Sequence, residues 1–211
     1  MEYILAAVIA LGAAALGTPL LQTVGRRFRA GAYASIAALG VAIVMVAANT
    51  AYGGGVSYFG HLLVSDALGD LFALVVLSVS LAVAVVSLYS SPSAPNIPSY
   101  YSLLLFSALG MLLLSYSADL LMLFVAWELM SLPTYVLAGF DKKRVESNEA
   151  AAKYAILGAL SSAIILYAMS LTYGMTGTTQ ISGVVERARL RKVFSTRNSW
   201  RSRSSAALRS R

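Results

Sequence analysis

One carboxylate stands in the middle of a long apolar run. Glu128 lies nine residues after Asp119 and twelve before Phe140, within LLMLFVAWELMSLPTYVLAGF. A charge at the centre of a membrane-spanning helix costs about 3 kcal/mol on insertion scales, so such groups usually face a bundle interior and often serve transport. Ser131 and Tyr135 follow at i+3 and i+7 and share its helical face. Pro133 removes the hydrogen bond to the Leu129 carbonyl. A freed carbonyl beside a carboxyl group can hold water, which a proton path needs. The structural alternative is a protonated glutamate that hydrogen-bonds between helices and holds them together.

Lys153 is the second candidate. It follows Glu149 by four residues, so the two can pair along one helical face. Near the start of its helix, the lysine can equally extend to the headgroups. At about 1.5 Å per residue, Glu128 is about 18 Å from the end of its helix, and Lys153 is roughly 6–9 Å from the start of its own. A water-linked relay between them fits better than a direct bridge. The remaining polar positions invite structural readings. Asp66 and Asp70 open an apolar run, where carboxylates suit a helix N-terminus. Ala151, Ala155, Gly158 and Ser162 form a small-residue stripe suited to close helix packing. His61 reads as a solvated loop residue. Cysteine is absent and His61 is the single histidine, which excludes disulfides, thiolate iron–sulfur ligation, a Cys/His zinc site and a Cys–His nucleophile pair. No phosphate loop, dinucleotide fingerprint or zinc-helix motif is present.

Positioning these groups takes helices in a bilayer. Of 211 residues, 58% are apolar and 12% charged, about half the charge of a soluble domain. That excludes a soluble enzyme. The pattern predicts an all-α membrane protein with six transmembrane helices at about 3–24, 31–50, 66–89, 100–116, 119–140 and 149–173. Pro92, Pro95 and Pro98 forbid a continuous helix between the third and fourth spans, and glycines 53–55 end the second. Tyr89, Tyr100, Tyr101, Tyr116 and Tyr173 sit near span ends, where an amphipathic ring favours the membrane interface. Glu2 and the lack of a basic residue before the first run mark it as a retained anchor rather than a signal peptide.

The net charge of +7 is concentrated at one end. Residues 184–211 hold nine basic residues against Glu186, so residues 1–183 carry a net charge of −1. Two pieces follow: a transmembrane helical domain over 1–183 and a basic, low-complexity, disordered tail over 184–211. Arg26, Arg27 and Arg29 share one side of the membrane with Lys142, Lys143 and Arg144, whereas 51–65 and 116–118 contain no Lys or Arg. The positive-inside rule then places the N-terminus outside, and the basic tail breaks that rule. Residues 195–211, with six serines and five arginines, read as a chance or out-of-frame tail more than a folded module.

The stretch DLLMLFVAWELMSLPTYVLAGF, a short basic loop, then NEAAAKYAILGALSSAIILYAMSLTYGMTGTTQI resembles the antiporter-like membrane subunits of respiratory complex I, in particular subunit N of NADH-quinone oxidoreductase. The carrying motifs are the mid-helix glutamate of ELMSLP and, one helix later, EAAAKY. The resemblance implies a membrane subunit of a proton-pumping NADH (or related donor):quinone oxidoreductase, in which quinone reduction elsewhere drives proton translocation. It implies that Glu128 matches the family's essential fifth-helix glutamate. Lys153 and Glu149 would match its charged pair near the start of the sixth helix. It further implies other membrane subunits and the lipid bilayer as partners, with no nucleic acid. NADH and quinone would be used by the complex, with no cofactor bound by this chain. The implied location is the cell (inner) membrane, multi-pass.

Full members of that family have fourteen helices. Here the likeness ends near Gly183, short of the seventh, which implies a truncated subunit without a complete channel and no catalysis from this chain alone. Two other readings remain open: a non-enzymatic six-helix membrane protein whose basic tail binds lipid, and a subunit of a cation/proton antiporter.

Overall fold

Six helices long and apolar enough to cross a membrane follow one another along the chain. They are α1 (Tyr3–Val24), α2 (Phe28–Tyr52), α3 (Ala67–Ser90), α4 (Ile97–Ser115), α5 (Leu120–Ala138) and α6 (Val145–Thr176). The computed structural model describes residues 3–24, 28–52, 55–90 and 97–190. Arg26, Arg27, Gly53, Gly54, Pro92, Pro95 and residues 191–211 lie outside the described residues. Each helix falls within about one turn of its predicted span.

The helices bury little of their own surface against one another, and most of what they leave exposed is apolar. The exception is α4, which packs against α1, α2, α3 and α5. Leu105, Ala108 and Leu112 on α4 are fully buried among Leu11 of α1, Leu39 of α2 and Leu77 of α3. By contrast α6 rests mainly on α5, and Ser162 is its one buried residue.

Between α2 and α3 the chain forms a small antiparallel hairpin that the sequence pattern does not foretell. Its strands are β1 (Ser57–Tyr58) and β2 (Leu63–Val64), paired Ser57 with Val64 and Tyr58 with Leu63. The reversal uses positive φ at Phe59, Gly60 and His61. The hairpin also grips the tight α4–α5 turn: Val64 N donates to Tyr116 O at 2.9 Å and Ala118 N to Leu62 O at 3.0 Å.

Under the hairpin lies a buried polar knot. Asn49 Nδ2 donates to Ser65 Oγ at 2.9 Å and to both carboxylate oxygens of Asp70 at 3.0 Å. The Tyr116 phenol donates to Asp70 Oδ1 at 2.7 Å. All four residues are buried. Burial and the hydrogen bond to Asp70 hold the Tyr116 phenol well above its usual range, so it stays a donor. The knot ties the ends of α2, α3 and α4 to one another.

Several sequence readings are corrected here. Asp66 caps α3 as expected, accepting from Gly69 N at 2.7 Å, but Asp70 belongs to the knot rather than to a cap. Tyr101 and Tyr116 are buried rather than interfacial, because each phenol finds a partner inside: Ala84 O for Tyr101 and Asp70 for Tyr116. Pro98 is the second residue of α4 rather than part of the break. In the first turn its missing N–H costs no helical bond. The first residues of the tail, 184–190, belong to a helix over 181–190. Ile181 N donates to Ala118 O at 3.0 Å and starts that helix against the α4–α5 turn.

Candidate functional site

The fifth helix is fixed at both ends. Asp119 is its N-cap, accepting from Leu121 N at 2.8 Å through Oδ1; its other oxygen accepts from the Thr179 hydroxyl at 2.5 Å. One carboxylate thus caps α5 and pins the chain after α6 to the same end. At the other end Gly139 allows the Cβ of Ala151 to approach, since a Cβ at Gly139 would stand 2.6 Å from it.

Glu128 sits about 13 Å along α5 from Asp119 at the usual helical rise. Its side chain is half-buried. Glu128 Oε1 is shielded from solvent and finds no hydrogen-bond partner among the described residues. Such an orphaned acceptor is uncommon, since buried polar groups are usually paired with protein or water.

The backbone beside Glu128 is held by a glycine of α4. A Cβ at Gly110 would stand 2.7 Å from Met130 Cα and 2.8 Å from the Leu129 carbonyl carbon, with Met130 N closer still. Pro133 frees the Leu129 carbonyl from its helical bond, yet α5 runs unbroken from Leu120 to Ala138. The close approach at Gly110 supports α5 where Pro133 weakens it.

Facing α5, the small-residue stripe of α6 is a packing surface, as its composition suggests. Ala151 meets Gly139, and the Tyr135 ring lies against Gly158 so closely that any Cβ there would collide with its phenol. Tyr135 also meets Tyr154 edge-on, ring centroids 4.9 Å apart. The Thr134 hydroxyl lies 3.5 Å from the Tyr154 hydroxyl. Ser131 donates to the Trp127 carbonyl at 2.8 Å. Ser131 and Tyr135 share the face of Glu128, but neither reaches its carboxyl oxygen.

Lys153 Nζ and Glu149 Oε1 form an ion pair of 2.5 Å along α6, with both side chains mostly exposed. Glu128 takes part in no ion pair among the described residues. The three residues singled out by sequence therefore fall into two groups: an isolated carboxyl in the middle of α5 and a charged pair near the start of α6. Between them lie Tyr135, Thr134 and Tyr154. Thr134 and Tyr154 escape the sequence reading because a hydroxyl in an apolar helix has no recognisable spacing until its partner helix is known. His61 is exposed in the hairpin turn.

Residues 117–206 match the family described as NADH:quinone oxidoreductase/Mrp antiporter, TM. That match runs beyond Gly183, where the likeness read from the sequence ends. The chain is 37% identical over 172 residues to NADH-quinone oxidoreductase subunit N of Azoarcus sp., covering 81% of this chain and 34% of that protein. It is 42% identical over 123 residues to F(420)H(2) dehydrogenase subunit N of Methanosarcina mazei, covering 58% of this chain and 25% of that protein. Among solved structures it is similar to a chain of respiratory complex I from Thermus thermophilus, with TM-score 0.71 and 29% identity over 83% of this chain and 38% of that one. A second is a chain of the membrane-bound sulfane sulfur reductase, an archaeal respiratory membrane complex, with TM-score 0.76 and 25% identity over 87% and 39%. The resemblance read from ELMSLP and EAAAKY is borne out as a likeness: the chain shares the helical fold of these respiratory membrane chains and is similar in sequence to subunit N relatives. It spans about a quarter to a third of the length of these two curated relatives.

Proposed function

We propose that this chain contributes to proton translocation as part of a subunit N-type membrane protein in a quinone-reducing respiratory complex. The observation that carries the reading is the shielded, unpartnered Oε1 of Glu128 in the middle of α5. A shielded carboxyl in the middle of a membrane span, with an acceptor oxygen left open among the described residues, is suited to holding and releasing a proton. Lys153, paired with Glu149 at 2.5 Å, adds a charged pair near the start of α6. NADH or another donor and the quinone act elsewhere in the complex, and this chain offers the proton path.

In membranes holding the assembled complex, Glu128→Gln is expected to slow proton translocation about 10²-fold, the usual order for losing a proton-transfer group. Assembly should stay normal, because glutamine keeps the shape of the side chain. Unchanged translocation in that variant overturns the role. The family description spans both quinone oxidoreductases and Mrp antiporters, so the measurement is made with and without sodium; translocation that requires sodium favours the antiporter reading.

The orientation is read from the loops between the helices, and Arg187 and Arg189, which follow α6 at the hairpin end, run against it. Lys142, Lys143 and Arg144 lie at the end of α5, opposite the hairpin and the α4–α5 turn, whose residues 55–65 and 116–118 contain no Lys or Arg. The hairpin end, with the N-terminus, then faces outside. A membrane-impermeant thiol reagent added outside should label His61→Cys and leave Lys142→Cys unlabelled; the reverse pattern inverts the orientation.

A further inference from the structure

Two buried polar side-chain atoms in the α5–α6 region have no hydrogen-bond partner among the described residues, Glu128 Oε1 and Ser162 Oγ. The helix register sets them at one level. α5 and α6 run antiparallel, with Gly139 against Ala151 and Tyr135 against Gly158. Continuing that register one turn further sets Ser162 level with Glu128 and Ser131. Ser162 is the one buried residue of α6, so it lies on the face turned to α5. Packing alone does not account for two orphaned groups at one level of an apolar interface, since each costs about 1–3 kcal/mol when unsatisfied. One water bonded to both, with the Ser131 hydroxyl as a third partner, satisfies them and has the two to four polar contacts that a buried water needs.

We infer that Ser162 is a relay residue that links Glu128 to the Lys153–Glu149 pair through a row of hydroxyls on the α5–α6 interface. Tyr154, Gly158 and Ser162 recur every four residues on one face of α6. Tyr135 fills the level of Gly158, and Thr134 stands 3.5 Å from the Tyr154 hydroxyl. The row spans the nine helical steps from Lys153 to Ser162, about 13 Å of helix, in intervals of about one turn. Hydroxyls and bridging water can each accept one proton while passing on another, so a proton entering at the charged pair leaves at Glu128 with every hydroxyl unchanged. Gly158 admits the Tyr135 ring to this row, where any other residue would expel it. This inference rests on the proposed role of Glu128.

The test uses the full chain in lipid nanodiscs and the infrared bands of the Glu128 carboxyl, identified by their loss in Glu128→Gln. Threonine and valine have nearly the same shape and differ by the hydroxyl. Ser162→Thr is expected to keep the Glu128 bands of the parent, and Ser162→Val to shift them as a lost hydrogen bond does. Packing damage would affect both variants alike. Identical bands in the two overturn the relay. The chain has no cysteine, so Ser131→Cys with Ser162→Cys gives a second check: mild oxidation should consume both thiols, and thiols that stay free overturn the register. Slowed translocation in Glu128→Gln with identical bands in the Ser162 variants would remove Ser162 and leave the proposed function standing. Unchanged translocation in Glu128→Gln would remove both.

Discussion

Gly110→Val is expected to drive α4 and α5 apart and to cost about 3 kcal/mol or more, the upper end of what overpacking does. The reason is the kind of atom that stands in the way. A flexible side chain could swing aside, but a Cβ at Gly110 meets the backbone of Leu129 and Met130. That backbone is the segment directly after Glu128, so it can yield only if α5 moves as a body. Alanine should already be damaging and valine more so, because its added methyl groups enter the same closed space. The measurement is the midpoint of unfolding in a denaturing-detergent titration, followed by helical circular dichroism. Gly40, where an added Cβ would meet nothing within 4 Å, is the control: Gly40→Ala should leave the midpoint in place or raise it, since alanine favours a helix interior over glycine. A Gly110→Val midpoint equal to that of the parent would show that the two helices do not touch there.

The second large effect is expected from the knot beneath the hairpin. Asp70→Ala should cost about 2–4 kcal/mol, because it takes the acceptor from two buried donors at about 1–3 kcal/mol for each group left unsatisfied. It strands the Tyr116 phenol and leaves the Asn49 amide with Ser65 alone, since both donate to Asp70. Tyr116→Phe removes one donor and leaves Asn49 on the carboxylate, so it should cost about 1–3 kcal/mol. The order of the two variants is the test. If Tyr116→Phe unfolds at lower detergent than Asp70→Ala, the carboxylate is not the hub.

The helices are legible in the sequence because each is long, apolar and bounded by glycine, proline or charge. Glu128 is legible too, since a charge in the middle of such a run stands out without any partner. Asp66 as a cap can be read for the same local reason: the residue and the N–H it accepts lie three positions apart. Asp70 cannot, because Asn49 and Tyr116 reach it from other helices, and nothing in the spacing along one helix announces a partner on another. Tyr101 and Tyr116 are misplaced by sequence on the same ground. An aromatic ring near a span end suits the interface until a buried acceptor claims its hydroxyl. Ser162 reads as part of a packing stripe, and packing is what Ala151 and Gly158 do. Its unpartnered hydroxyl becomes visible only when the register against α5 is known. The hairpin is hidden by its shortness, two residues per strand, with a turn of positive φ at Phe59 and His61 that the residue types do not signal. The helical start of the tail is foreshadowed by Ile181, Val184, Val185 and Ala188 at helical spacing, but the basic composition around them outweighs that pattern.

The role of Glu128 is tested most directly by counting protons moved per quinone reduced in membranes that hold the assembled complex. Three forms are compared: the parent, Glu128→Asp and Glu128→Gln. The expected result is a ratio that falls in Glu128→Gln and recovers at least in part in Glu128→Asp, which restores a carboxyl on a shorter side chain. An unchanged ratio in Glu128→Gln, with quinone reduction and assembly as in the parent, would contradict proton transfer through this residue.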